Sequence, residues 1–327
     1  MKSNILDLIG NTPLVKLNKT ASFTGAQVYA KLEFFNPGLS TKDRIVWRIV
    51  EDAESKGLIG KGGTLVEATS GNTGISIAVI AGLRGYKCIL CVKDTITEAK
   101  HSLLKSMGAE LVLCPSDVPP DDPRSYYSKA KEIAGQMPGA FYVNQNFNPL
   151  NTQAHYETTG KEIWQQTAGK ITHLISACST GGTISGTGKY LKEQNPDVRI
   201  IGVDTRSSLL KFYHEHGYLE KNKKYKADVV GVGKNIITGN LDLDVIDEFV
   251  YVDRESSIAY AKELMRSDGI WAGHSSGAVL QGLLEIKDRL DKDALVVLIF
   301  SDHGSRYLSG DRKNVRVESN GVYENII

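Results

Sequence analysis

Short apolar runs alternate along this chain with longer stretches in which apolar positions recur three and four residues apart. The short runs predict strands at Gln27–Lys31, Thr64–Ala68, Lys87–Val92, Glu110–Cys114, Phe141–Asn144, His173–Ala177, Arg199–Asp204, Glu248–Val252 and Leu295–Phe300. The longer stretches predict amphipathic helices over Gly74–Arg84, Thr97–Met107, Ser125–Gln136, Asn151–Gln166, Thr183–Gln194, Arg254–Asp268 and Gly277–Leu290. Strands and helices in alternation predict an α/β fold of mostly parallel sheets wrapped by helices.

Two breaks punctuate the pattern. Residues 115–123 form a polar, proline-rich turn, and Asn148-Pro149-Leu150-Asn151 interrupts the chain again before a helix. At 327 residues the chain exceeds one ordinary core. The reading is therefore a smaller, mobile substrate-side lobe at 42–148 and a larger body made of 1–41 and 149–327. The polar tail Gly310–Ile327 reads as weakly committed to the core.

Composition adds exclusions. Hydrophobic residues make up 41% and charged residues 24%, as in ordinary globular proteins, and Lys+Arg 39 against Asp+Glu 38 leaves the charge near neutral. That balance gives no reason to expect nucleic acid or an anionic membrane as partner. The opening residues carry no apolar h-region and no stretch is long enough to span a bilayer, so the expected location is cytoplasmic. Cys88, Cys91, Cys114 and Cys178 lie in apolar runs and read as reduced core residues. The CxxC spacing of Cys88 and Cys91 has no second pair and no His at ligand spacing, so no metal site is expected.

Candidate chemistry concentrates in four segments. Ser40-Thr41-Lys42-Asp43-Arg44 holds a lysine whose amine is suited to a Schiff base with an aldehyde cofactor. Pyridoxal phosphate bound in that way is an electron sink for carbanions next to an amino group. In Thr69-Ser70-Gly71-Asn72-Thr73-Gly74, short polar side chains lie between a predicted strand and a helix, where free N–H groups favour an anion such as a carboxylate. Asn72 is suited to a cofactor hydroxyl. In Ser179-Thr180-Gly181-Gly182-Thr183 the glycines admit phosphate oxygens close to the backbone and the hydroxyls add donors. Read alone, each loop is also compatible with an ordinary capped turn. The dinucleotide and P-loop glycine spacings do not fit this chain. Ser275, in Gly273-His274-Ser275-Ser276-Gly277, reads either as a helix N-cap or as a neutral partner for a pyridine nitrogen, which favours elimination at the β carbon over transamination.

In order and spacing these segments resemble the cysteine synthase and cystathionine β-synthase family of fold type II pyridoxal phosphate enzymes, from Ile5–Leu14 through Asp302–Leu308. The segments 120–127, 153–157 and 302–307 lean toward bacterial cystathionine β-synthase-like catalytic cores. The resemblance implies pyridoxal 5'-phosphate as cofactor, with Lys42 as aldimine lysine and catalytic base. It implies Asn72 on the ring hydroxyl, Ser179, Thr180, Gly181, Gly182 and Thr183 around the phosphate, and Ser275 at the pyridine nitrogen. Thr69, Ser70, Thr73 and Gln145 would bind the substrate α-carboxylate, and Gly231-Val232-Gly233 would line the entrance.

The implied reaction is β-replacement through an aminoacrylate on serine, an O-substituted serine or cysteine, with sulfide, a thiol or another nucleophile as acceptor, in a homodimer. A β-eliminating lyase releasing sulfide or water, and a weakly active sensor or partner-binding homologue, remain alternatives at this point. The chain departs from the family pattern at Val230, Lys234, Asn235 and Asn146, where carboxylates and a tyrosine are usual. Lost carboxylates and a gained Lys234 at the entrance favour a more anionic substrate, such as O-phosphoserine or a dicarboxylic nucleophile, unless Lys234 only faces solvent.

Overall fold

A computed structural model describes residues 2–221 and 223–308; the tail Gly310–Ile327 lies outside them. The chain opens with strands β1 (Leu14–Lys16) and β2 (Gln27–Leu32) and helix α1 (Lys42–Ser55). Strand β3 (Thr64–Ala68), α2 (Asn72–Arg84), β4 (Lys87–Lys93), α3 (Glu98–Ser106), β5 (Ala109–Cys114), α4 (Tyr126–Gln136) and β6 (Ala140–Tyr142) follow. The remainder comprises α5 (Leu150–His155), α6 (Lys161–Gln166), β7 (His173–Ala177), α7 (Gly182–Gln194), β8 (Arg199–Thr205), α8 (Leu210–His216), β9 (Glu248–Val252), α9 (Arg254–Asp268), α10 (His274–Ile286) and β10 (Leu295–Phe300).

Two sheets result. One is four-stranded and parallel throughout, in the order β5-β4-β3-β6. The other has six strands, β1-β2-β10-β7-β8-β9, parallel except for β1, which pairs antiparallel with β2. Helices cover both faces of the central strands: every residue of β3 is buried, Glu67 included, and β10 is an unbroken apolar run, Leu-Val-Val-Leu-Ile-Phe, buried throughout. Order 3-4-5 in one sheet and 7-8-9 in the other reflects crossover helices that bring each parallel strand beside its predecessor.

The differences from expectation have local causes. The predicted helix Asn151–Gln166 is divided into α5, a π turn at Tyr156–Gly160 and α6. At Gly160 a Cβ would stand 2.7 Å from the Cβ of Tyr190, so glycine permits the close packing of this turn on α7. The strand predicted to reach Asn144 stops at Tyr142, because Asn144 adopts a left-handed φ of 54°. Helix α10 starts at His274 with Gly273 as its N-cap, so Ser275 is the second helical residue and not a cap. Helix α1, unread in the periodicity, buries Ile45, Val46, Ile49, Val50 and Ala53 on one side. Cys88 and Cys91 are buried in β4, and burial pushes each thiol up to about 12, which keeps them protonated core residues.

A buried charge cluster fixes the start of α1. Arg44 donates to Glu33 at 2.7 and 2.8 Å and to Glu162 at 2.6 and 2.8 Å, while Lys31 Nζ reaches Glu162 at 2.7 Å. Salt bridges of this geometry span β2, α1 and α6 and hold the residue two places before Arg44 in register.

Candidate active site

The carboxyl ends of the parallel strands in both sheets open on one cavity of about 850 Å³, within the roughly 300–1,000 Å³ usual for small-molecule sites. Ligands of open α/β sheets gather at this edge because strands end there and helix N-termini begin.

Lys42 stands at the first position of α1. Its approach is tied to the end of β10, with Thr41 N–H donating to the Ser301 carbonyl at 2.9 Å. Burial lowers the Lys42 ammonium below its ordinary range, opposed by the carboxylates of Asp302, Glu33 and Asp43. Among the described residues no side chain hydrogen-bonds its Nζ.

The loop between β3 and α2 supplies Thr69 and Ser70, and the first turn of α2 supplies Asn72 and Thr73, to the same wall. Thr73 Oγ1 donates to Gln145 Oε1 at 2.6 Å. The Gln145 backbone is pinned in turn, its N–H on Glu67 at 3.0 Å and its carbonyl on the amides of Asn151 and Asn240 at 2.7 and 2.8 Å. Asn72 Nδ2 donates to Asp302 Oδ2 at 2.7 Å.

Between β7 and α7, Ser179, Thr180, Gly181 and Thr183 line the cavity; Gly182 does not, its Cα packing on the Asn151 carboxamide. Gly181 has a φ of 86°, and a Cβ there would come within 2.6 Å of Leu241 Cα, so only glycine suits this turn. The opening N–H groups of α7 lack partners within the helix, as in any helix start. Ser275 of α10 also lines the cavity, beside Gly231, where a Cβ would be 3.5 Å from the Ser275 Cβ.

Lys234 is half-buried and turned inward, which removes the solvent-facing alternative. Its Nζ donates to Asn146 Oδ1 at 2.9 Å, and burial pushes its ammonium down to about 8 against the pull of Glu67. Its backbone is clamped, with N–H on Ser208 Oγ at 2.9 Å and carbonyl accepting from Leu209 N–H at 3.0 Å.

The donor set fits pyridoxal phosphate. An amine without a hydrogen-bond partner, a cup of N–H and hydroxyl donors, an oriented carboxamide and a serine hydroxyl converge on one space, and Asp302 keeps a buried Oδ1 without a partner.

Three residues on or behind this wall escaped the sequence reading. Asp302 orients Asn72, and His155 sits behind the cup with Nε2 3.1 Å from Thr183 Oγ1. Glu67 lies fully buried under the substrate loop, its carboxyl raised to about 7 by burial. Each meets its partner across a long sequence separation, so no local spacing could mark it.

A lysine at a helix start between two α/β sheets, facing a phosphate cup that holds no side-chain cation, defines a fold type II pyridoxal phosphate enzyme. The profile of the family described as "Pyridoxal-phosphate dependent enzyme" matches residues 5–302, and the chain belongs to that family. It is 38% identical over 323 residues to the cystathionine beta-synthase of Apis mellifera, covering 98% of this chain and 63% of that protein. It is 40% identical over 312 residues to a probable cysteine synthase of Bacillus subtilis, covering 94% of this chain and 97% of that one. Among solved structures, O-ureido-L-serine synthase superposes with a TM-score of 0.86 at 33% identity, over 97% of this chain and 98% of its own. The chain thus spans less than two thirds of the cystathionine beta-synthase that it matches. Among the described residues no helix is long and apolar enough to cross a membrane.

Proposed function

We propose that this chain catalyses β-replacement on serine, an O-substituted serine or cysteine, forming cysteine, cystathionine or a related β-substituted alanine. The observation that carries the reading is the convergence of Lys42, Asn72, Ser275, the α7 cup and the Thr69–Thr73 loop on one cavity. The relatives named cystathionine beta-synthase, probable cysteine synthase and O-ureido-L-serine synthase support the same reaction class.

Lys42 would hold the cofactor through Nζ, Ser179–Thr183 its phosphate, Asn72 its ring hydroxyl and Ser275 its pyridine nitrogen. Bound there, pyridoxal phosphate supplies an electron sink for charge developing at the substrate α carbon. Thr69, Ser70, Thr73 and Gln145 would bind the α-carboxylate with hydroxyl and amide donors and so hold the Cα–H bond toward Lys42. Lys42, lowered by burial, is suited to take that proton as a neutral amine. The bond from the β carbon to its substituent then breaks, and the departing group leaves with the proton from Lys42. The acceptor gives up its own proton to Lys42 as it adds at the β carbon, and Lys42 delivers that proton to the α carbon. The Ser275 hydroxyl, a neutral partner, favours this course over transamination.

Residues 42–148 would form the smaller lobe that moves over the substrate, a division supported by the four-stranded sheet falling wholly within them. A cytoplasmic homodimer completes the reading, supported by four buried unpaired cysteines and the family resemblance.

The test supplies the purified holoenzyme with serine, O-acetylserine, O-phosphoserine or cysteine, each with sulfide or homocysteine, and identifies products by mass spectrometry. A β-substituted alanine is expected. Pyruvate and ammonia as the sole products would replace this reading with β-elimination.

A further inference from the structure

The cavity carries more positive charge than the proposed chemistry uses. Lys42, Lys93, Lys100, Lys234 and Arg306 line it, against a single carboxylate, Asp302, among the described residues. The α7 cup and the Thr69–Thr73 loop bind through N–H groups, hydroxyls and amides, so neither recruits a side-chain cation.

The cations fall into two sets. Asp302 answers Lys42, Lys100 and Arg306, each of which feels its charge, and Arg306 also donates to the Gly38 carbonyl at 2.7 Å. Lys234 feels the like charges of Lys42 and Lys93 and, from behind the wall, the opposite charge of Glu67. Lys234 Nζ donates to the neutral Asn146 oxygen, which leaves two of its three N–H groups uncommitted. Lys93 Nζ lies 5.2 Å from the ring centroid of Tyr126. The nearby carboxylate, Glu67, has no exposed surface and does not line the cavity, and its oxygens accept the N–H groups of Ala68 at 2.8 Å and Gln145 at 3.0 Å. Lys234 and Lys93 thus line the cavity with no hydrogen bond or ion pair to a carboxylate among the described residues.

We propose that Lys234, with Asn146 and Lys93 beside it, forms a subsite for a second anionic group, a carboxylate or phosphate additional to the α-carboxylate. The β-replacement reading supplies two carriers for it: the substituent that leaves the β carbon, or the acceptor that takes its place. Partial desolvation makes each charge-assisted hydrogen bond there stronger than on an open surface. Inorganic sulfide carries neither a carboxylate nor a phosphate.

Calorimetric titration of the holoenzyme with succinate and with its uncharged diamide tests the subsite without turnover. Native enzyme is expected to bind succinate roughly 10-fold or more tightly than Lys234→Met, as for a hydrogen bond to a charged group. Lys234→Arg should restore most of the difference and the diamide should register none of it. Equal succinate affinity in native enzyme and Lys234→Met overturns the proposal. Turnover identifies the carrier: O-phosphoserine against O-acetylserine with sulfide as common acceptor, and mercaptoacetate against 2-mercaptoethanol with O-acetylserine as common donor. The charged-to-neutral ratio of kcat/KM should fall in Lys234→Met for one of these pairs, and a ratio unchanged in both also overturns the proposal. Absence of turnover with every combination would instead remove the β-replacement reading, with the calorimetry still deciding the subsite.

Discussion

Asn72 Nδ2 stands 2.7 Å from Asp302 Oδ2, an oxygen that also accepts the Tyr307 hydroxyl at 2.7 Å. Asn72 opens α2 in one sheet layer and Asp302 follows β10 in the other, so this contact joins the two halves of the cavity. A carboxamide is planar, and committing one N–H to Asp302 fixes the direction of the other.

Asp302 is therefore a positioning residue for Asn72. Asp302→Asn should lower kcat/KM by roughly 10- to 100-fold, the range for losing a hydrogen bond to a charged partner. Tyr307→Phe, which keeps the carboxylate, should cost less. The visible absorption of the bound cofactor gives a second reading, because a reoriented Asn72 changes the contact to its ring hydroxyl. Native kcat/KM and an unchanged spectrum in Asp302→Asn would exclude the role.

His155 serves the phosphate cup from behind. Its ring is fully buried between Thr159 Oγ1, 2.8 Å from Nδ1, and Thr183 Oγ1, 3.1 Å from Nε2. Burial pushes the imidazole down to about 3, so it is neutral at working pH. A Thr183 hydroxyl that donates into the cup must accept from Nε2–H, which leaves Nδ1 to accept from Thr159. His155→Ala is expected to weaken pyridoxal phosphate binding by about 10-fold, the loss of one charge-assisted contact. Equilibrium dialysis against pyridoxal, which lacks the phosphate, should detect little change.

The cluster around Arg44 holds Lys42 in place and makes folding sensitive to acid. Arg44→Met leaves Glu33 and Glu162 buried without their main partner and should cost about 3–5 kcal/mol in urea unfolding at pH 7. Arg44 holds Glu33 well below the usual carboxylate range and lowers Glu162, whose ordinary value is 4.5. A carboxylate depressed in the folded state stabilises above its unfolded value and loses that contribution as pH falls toward the folded one. Native stability should thus decline from about pH 4.5 downward, while Arg44→Met, lacking the depression, should decline less over that range.

The parts of the site visible in the sequence were those that short segments carry whole: Lys42 within Ser40–Arg44, the β3–α2 loop and the glycine cup each combine position and chemistry within six residues. Asp302, although it opens the 302–307 segment that carries part of the resemblance, was not visible as a partner because 230 residues separate it from Asn72. The direction of Lys234 was hidden for a similar reason. Its loop is drawn inward by the Gly233 N–H on the Cys178 carbonyl at 2.7 Å and by the Ser208 clamp, neither of which leaves a local pattern. The fold was legible further than the site, since alternating strands and helices record burial residue by residue. It failed where a glycine let elements approach, at Gly160, or where the backbone turned left-handed, at Asn144.

The direction of Lys234 sets a pH signature for the subsite proposed above. The titratable groups facing it are Glu67 from β3, Lys42 from α1, Lys93 from β4 and the Cys178 thiol after β7, which burial keeps protonated. Burial pushes the Lys234 ammonium down to about 8, so its charge is complete well below that pH and disappears above it. Glu67, raised to about 7 by burial, is neutral below that pH and offsets Lys234 above it. Both changes act in one direction, so succinate affinity should fall between pH 6 and pH 9. Glu67→Gln and Lys234→Arg, whose guanidinium stays charged, should each make that fall shallower. Affinity independent of pH across this interval would mean that neither group faces the bound anion.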